Sequence, residues 1–396
     1  MYNNEEIMKC VDAARRNNGP IYFYNKRIIK EKYELLKNNL PKTFEIYYAI
    51  KANPFIGVVE LLGSLGAGAD IASCGELEIA RRAGIAPDKI GFAGPGKTEN
   101  ELKKAICCTI AAINLESVPE LLLVDTLAAG FGKKQPVCVR INPQHEIIKS
   151  GMRMGGGSKQ FGIDEDTLDE FFTALSNLRN VEFAGLHIFA GSQVLDYQLL
   201  LDYFENVLKI AVHVKNNYSA PMKIINFGGG FGIPYFAGEE ELDIQSFGKG
   251  IDILFKKYNV EKVFPETRYI VESGRYLVGE CGLYVTQVLY RKKSWGKEYV
   301  ITEGGINHHL AASGILGSIL KKNYKIKVLN KYDAPIKQKY NIVGPLCTTL
   351  DSLANNIELP DVQPGDMIGI FNSGAYGFSA SLLQFLSHKP PIEVII

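Results

Sequence analysis

Short runs of β-branched and aromatic residues recur from about residue 20 onward, separated by stretches whose apolar positions repeat at helical spacing. The runs at 46–51, 68–72, 90–93, 111–115, 137–141, 183–189, 224–227 and 269–272 each suit one strand, and amphipathic segments such as 99–106 lie between them. Eight strand–helix units of this kind predict an α/β fold, a TIM-type (β/α)8 barrel. After Gly274 the texture changes: runs at 283–290, 299–302, 340–343, 367–371 and 392–395 are separated by turns, which predicts a mostly β second domain. The early run 21–24 precedes the first barrel unit and is a candidate to pair into that second sheet. The expected organisation is a barrel over residues 25–275 and a β domain over 276–396 together with 1–24.

A length of 396 residues suits two domains, and a composition 46% hydrophobic, 22% charged and 10% aromatic belongs to a chain that buries a large core. Lys and Arg number 44 against 43 Asp and Glu. No overall field therefore selects nucleic acid or an anionic membrane, and a charge-driven partner must use a local patch. The start, MYNNEEIMKC, has no apolar leader core, and no apolar run is long enough to span a bilayer, so a cytoplasmic protein is expected. Seven cysteines, odd in number and without zinc-type spacing, read as reduced thiols, most of them in the core.

In such a barrel the chemistry gathers at the C-terminal ends of the strands. The first strand ends in Tyr47-Tyr48-Ala49-Ile50-Lys51-Ala52-Asn53. A lysine there, partly desolvated, would have a lowered pKa and a neutral amine free to form an imine with an aldehyde; a plain rim lysine is the alternative. The seventh strand runs into Asn226-Phe227-Gly228-Gly229-Gly230-Phe231-Gly232. Missing side chains let its N–H groups approach an anion, in the late-strand position where these barrels bind phosphate. The eighth ends in Val271-Glu272-Ser273-Gly274-Arg275. A carboxylate there can pair with a protonated pyridine nitrogen and the arginine with phosphate, although a Glu–Arg pair at a barrel rim needs no ligand.

Together with Gly185-Leu186-His187-Ile188-Phe189-Ala190-Gly191-Ser192-Gln193, Gly344-Pro345-Leu346-Cys347 and Gly374-Ala375-Tyr376, these motifs form one ordered pattern. By it the chain resembles, from about residue 20 to its end, the diaminopimelate/ornithine decarboxylase family, whose members have the alanine-racemase-type barrel. The resemblance implies α-decarboxylation of an amino acid with pyridoxal 5'-phosphate as cofactor. It makes Lys51 the Schiff-base lysine, Asp70 the acid near it, and Glu272 the partner of the pyridine nitrogen. It gives Gly228, Gly229, Gly230, Ser192, Arg275 and Tyr376 to the phosphate, Arg140 to the phenolic oxygen, His187 and Phe189 to the surroundings of the ring, and Gly274 to the cofactor site. It also implies a homodimer with shared active sites. The second subunit would lend Cys347, as proton donor to the carbanion carbon, and Asp351, near the substrate amine. The roles are chemically coherent. Loss of CO₂ leaves an electron pair that an extended sink must hold, and a thiol suits the returning proton.

Several positions depart from the family pattern. Phe189 stands where a histidine usually stacks on the ring, and it can stack but cannot donate a hydrogen bond. Thr348 follows Cys347 where diaminopimelate decarboxylases carry a glutamate, and the arginine that grips the distal carboxylate falls on or near Ala311. These departures, with Cys347-Thr348-Thr349-Leu350-Asp351 and His308-His309, resemble the butirosin-type glutamyl-[acyl-carrier protein] decarboxylase branch of antibiotic and siderophore pathways. A substrate tethered through its side-chain carboxyl has no distal charge to grip. Thr348, His308 and His309 are candidates to contact substrate, the two histidines being equally compatible with ordinary polar residues of the second domain; adjacent histidines on one strand would face opposite sides, so no metal site is expected. Lys321, Lys322, Lys325, Lys327, Lys331, Lys337 and Lys339 are candidates to dock an acidic carrier protein, or form a solvated loop. The alternative substrate is free diaminopimelate, ornithine or lysine. Glu272 counts against a racemase on the same barrel. Retention of Lys51, Glu272, Cys347 and Asp351 counts against a non-catalytic binding protein.

Overall fold

The computed structural model describes all residues except 1, 18, 145–151, 154–156, 190 and 315–321, and only the backbone of Met152 and Arg153. Lys321 and Ala190, singled out above, lie outside the described residues. The chain forms two units. One comprises Lys32–Ile233 and Glu241–Gly274; the other comprises Met1–Glu31, Pro234–Glu240 and Arg275–Ile396.

Numbered along the chain, β1 (Ile21–Tyr24) belongs to the second unit. The barrel strands are β2 (Phe44–Ala49), β3 (Gly68–Ile71), β4 (Ile90–Phe92), β5 (Ala112–Leu115), β6 (Gln135–Asn142), β7 (Val181–His187), β8 (Ile224–Asn226) and β9 (Arg268–Ser273). All pairings are parallel, in the order β5-β4-β3-β2-β9-β8-β7-β6, and β5 pairs β6 to close the ring. All eight expected strands are present, with ends shifted by one or two residues. The segment expected to be amphipathic is the helix Glu99–Cys108, which starts on a reciprocal cap between Thr98 and Glu101 and buries Leu102, Ala105 and Ile106.

The lower interior is apolar: Tyr47, Ala112, Cys138, Ala184, Ile224 and Ile270 fill it. Gly68 makes room for the Tyr47 ring, since a Cβ there would sit 2.5 Å from it. Ala184 is an extra residue opposite the step from Val137 to Cys138. This bulge resets the alternation of β7, so that Arg140, His187 and Asn226 lie in one row across β6, β7 and β8. The row sits one pair of residues above the apolar layer, so polar side chains gather at the C-terminal mouth.

The second unit contains β10 (Gly282–Ser294), β11 (Lys297–Thr302), β12 (Ile326–Val328), β13 (Gln338–Val343), β14 (Ser352–Leu359), β15 (Met367–Phe371) and β16 (Ile392–Ile395). The sheet order is β12-β15-β10-β11-β13-β14. As expected, β1 joins this sheet, antiparallel to β10 and parallel to β16. Two strands, β12 and β14, were not expected. All seven cysteines are free, but only Cys10, Cys138 and Cys281 are buried, which corrects the expectation that most are core thiols. Among the described residues no helix is long and apolar enough to cross a membrane.

Candidate active site

Lys51 lies on a single 3₁₀ turn, Ile50–Ala52, immediately after β2. The Tyr48 hydroxyl donates to the Asn53 carbonyl at 2.8 Å, which pins the turn. Gly274, just beyond β9, lets the chain close on it, because a Cβ there would stand 2.8 Å from the Ala52 Cβ. Gly274 is thus a packing residue. Lys51 Nζ donates to Asp70 Oδ2 at 3.0 Å and lies 5.5 Å from the centre of the Phe189 ring. The expected desolvation is not found: the lysine side chain is 41% exposed, and the buried partner is Asp70 at 2%. Burial and the nearby Glu272 raise the Asp70 carboxyl above the ordinary range, against the pull of Lys51.

Glu272 is buried at the end of β9. Its Oε1 accepts from Asn226 Nδ2 at 2.8 Å and lies 3.1 Å from His187 Nε2, while Oε2 takes no partner among the described residues. Burial opposes ionisation here, but His187, Lys51 and the Asn226 amide together outweigh it and hold the carboxyl below the ordinary range. His187 is almost fully buried, and its Nδ1 has no hydrogen-bond partner. Asn226 also accepts from the Gly228 N–H at 2.8 Å, so one amide fixes both the carboxylate and the start of the glycine turn.

That bond takes the Gly228 N–H away from any anion, whereas the N–H groups of Gly229 and Gly230 donate to no protein group among the described residues. The turn is anchored by its carbonyls: Gly228 accepts from the Glu272 N–H and Gly230 from the Val194 N–H, both at 2.8 Å. Side chains are excluded by close approach. A Cβ on Gly228, at φ 62, would collide with the Ile188 carbonyl, and one on Gly229 would come within 2.7 Å of the Glu272 carbonyl and 3.1 Å of the Phe189 ring. Ser192 is half-buried on the two-residue strand Gly191–Ser192.

Arg140 is buried and donates to Glu116 Oε1 at 2.8 Å, with its guanidinium 4.8 Å from the centre of the Phe161 ring. Glu116 also accepts from the N–H of Gly94 at 2.7 Å and of Gly162 at 3.0 Å. Glu116 and Asn226 are the residues that sequence reasoning left without a role. Glu116 follows the end of β5, where the rule of inspecting strand ends would have found it, and Asn226 stands two before a glycine, the spacing of an Asx turn.

In the second unit Arg275 donates to the Tyr235 hydroxyl at 3.1 Å and lies 4.7 Å from the Tyr376 ring centre, with its Nε unpartnered. Gly374 allows the Tyr376 turn to approach, since a Cβ there would collide with the Val278 carbonyl. Cys347 is exposed in the connection between β13 and β14. Asp351 closes that connection: Oδ1 accepts from the Ile306 N–H and Oδ2 from the Leu346 N–H, both at 2.8 Å. With one backbone N–H held by each oxygen, Asp351 is a clamp that shapes the Cys347 loop. The Thr348 hydroxyl accepts from the Leu350 N–H at 3.3 Å within the same loop.

The expectation for His308 and His309 is corrected. They lie in a turn, not on a strand, and both are buried. His308 Nε2 meets the Lys389 carbonyl at 2.9 Å and Nδ1 the Tyr284 hydroxyl at 3.3 Å. His309 Nε2 meets Ser373 Oγ at 2.8 Å, and Nδ1 accepts from the Ala312 N–H at 3.3 Å. Rings committed at both nitrogens hold the core of this unit and have nothing left for a substrate.

The barrel residues fit pyridoxal phosphate. An exposed amine stands beside an acid, one carboxylate oxygen and two glycine N–H groups are uncommitted, and Ser273 Oγ and Asp70 Oδ1 are buried without a partner. Comparison with known proteins agrees. Residues 26–279 match the family described as pyridoxal-dependent decarboxylase, pyridoxal binding domain. The chain is 37% identical to an L-glutamyl-[BtrI acyl-carrier protein] decarboxylase from Niallia circulans, over 99% of this chain and 92% of that one. It is 34% identical to a diaminopimelate decarboxylase from Aquifex aeolicus, over 95% and 86%. The structure of diaminopimelate decarboxylase from Helicobacter pylori complexed with L-lysine superposes with a TM-score of 0.87 at 30% identity, covering all of this chain and 94% of that one.

Proposed function

The chain belongs to the pyridoxal-dependent decarboxylase family, and on that premise we propose that it removes the α-carboxyl group from a glutamyl-type residue tethered to an acyl-carrier protein. The observation that carries this reading is the stretch 304–314. It contains no Lys or Arg, and its two histidines are spent on Tyr284, Lys389, Ser373 and Ala312. A free distal carboxylate would find no cation there, and a carboxyl already esterified to a carrier needs none.

Pyridoxal phosphate, when bound, supplies the electron sink that makes loss of CO₂ from Cα possible. Lys51 would hold its aldehyde carbon, with Asp70 accepting from the lysine nitrogen and orienting it. Glu272, through its free Oε2, would keep a proton on the pyridine nitrogen, and Asn226 and His187 hold that carboxylate ionised and in place. The N–H groups of Gly229 and Gly230, with Ser192, would take the phosphate. Arg140, aimed by Glu116, and the Phe189 ring, packed on the glycine turn, would bound the space. Cys347 would return the proton to Cα in the barrel of a partner subunit, so the protein would work as a homodimer. Its seven unpaired thiols suit the cytoplasm.

The test is mass spectrometry of glutamyl-loaded carrier protein, and in parallel of free diaminopimelate, ornithine and lysine, after incubation with enzyme and cofactor. Loss of one CO₂ from the loaded carrier alone is the expected result. Consumption of a free amino acid with the carrier untouched would overturn the tethered-substrate reading.

A further inference from the structure

The carrier reading requires a place for a whole protein to dock, and one surface of the second unit has the chemistry for it. Strands β10 and β11 form a hairpin whose outer part, Tyr-Arg-Lys-Lys-Ser-Trp-Gly-Lys-Glu-Tyr from residue 290 to 299, carries four cations and one carboxylate in a chain of nearly balanced charge. Trp295, the only tryptophan, sits at the tip and is fully exposed, and Tyr290 is 68% exposed.

The register defines one face. Tyr290 pairs with Ile301, Lys292 with Tyr299, and Ser294 with Lys297, so these side chains share a side. Tyr299 pairs in turn with Asn341 on β13, which adds Lys339 to the same side. The opposite side is the inner one, because Val300, Tyr340 and Ile342 there are fully buried. Arg291 is neutralised by Glu298 and Asp361, and Lys339 lies 3.7 Å from Glu358. Among the described residues Lys292, Lys293, Lys297 and Lys337 make no ion pair. Lys293 projects from the other side of the hairpin, while Lys292 and Lys297 share the outer side with the exposed Tyr290 ring, and this combination of uncompensated cations and an exposed aromatic suits an acidic protein surface.

The same strands lead to Cys347. Strand β13 runs about 13 Å from Lys339 to Val343, where the Cys347 loop begins. A carrier held on the hairpin face would have its flexible arm alongside the loop that delivers the proton.

Resting on the tethered-substrate reading, we propose that the outer face of the β10–β11 hairpin, through Lys292, Lys297 and Trp295, is the docking surface for the acidic carrier protein. The experiment uses the full enzyme with cofactor, comparing wild type with K292E/K297E and with Trp295→Ala. Two substrates are used: glutamyl-loaded carrier, and a glutamyl thioester of a short pantetheine fragment. The expected result for the double variant is a KM for loaded carrier raised on the order of tenfold or more, an unchanged kcat, and unchanged turnover of the fragment. The wild-type KM for the carrier rises with salt, while that of the variant does not. An unchanged carrier KM in the double variant overturns the docking surface and leaves the tethered-substrate reading intact. Loss of the dimer in the variant, by sedimentation, overturns it in favour of self-association. A wild-type enzyme that ignores loaded carrier and consumes a free amino acid removes both.

Discussion

Asn226 shows how much one side chain can decide. Its amide donates to Glu272 and its carbonyl accepts from Gly228, so it sets both the carboxylate and the first residue of the glycine turn. A hydrogen bond to a charged group contributes roughly 1.5–3 kcal/mol. In Asn226→Ala, kcat is expected to fall by about tenfold or more while bound cofactor, read by absorbance, is largely retained. An unchanged kcat would remove its positioning role. Residues of this kind were hard to read. The glycines, Lys51 and Glu272 stand out in the sequence because their types are unusual at strand ends. The partners Asp70, Asn226 and His187 depend on which side chains the barrel faces inward. Lys51 itself was located from its sequence context, but its exposure was misjudged, because no local pattern reports how open a barrel mouth is.

At the scale of elements, the eight barrel strands were legible because each is a compact apolar run between polar turns, and strands buried on both faces have that signature. Strand β14 was not, since Ser352–Leu359 carries two adjacent asparagines, one of them at φ 49, which erase the alternation. Strand β12 is three residues long inside a lysine-rich stretch. The turn holding His308 and His309 gives a prediction about pH. Burial lowers the pKa of His308 from the ordinary 6.5 to about 4 and that of His309 to about 3. Both rings therefore stay neutral in the fold, whereas they bind a proton in the unfolded chain below 6.5. Stability from this source is full above pH 6.5 and is lost as pH falls toward 4, with a slope of about 1.4 kcal/mol per pH unit for each ring. Thermal melts from pH 7.5 to 4.5 are expected to show this decline, and His309→Gln to flatten it. A variant that melts with the wild-type pH dependence would contradict it.

At the scale of the whole molecule, the division of labour lies between a barrel that holds the cofactor residues and a β unit that carries Cys347. Both sets of residues were named from sequence motifs, and the family resemblance implied that Cys347 serves a second subunit. Mixing Lys51→Ala subunits with Cys347→Ala subunits tests this, because half of a random mixture is heterodimer and each heterodimer regains one intact site. About a quarter of wild-type activity is expected from two inactive parents. A mixture as inactive as its parents would place each thiol with its own barrel. The central claim is that this barrel holds pyridoxal phosphate on Lys51. It is tested most directly by borohydride reduction of the cofactor-loaded enzyme, proteolysis, and mass spectrometry of the modified peptide. The account predicts a single phosphopyridoxyl group on Lys51, and none in Lys51→Ala. A label on another lysine, such as the buried Lys97, or no label at all, would contradict it.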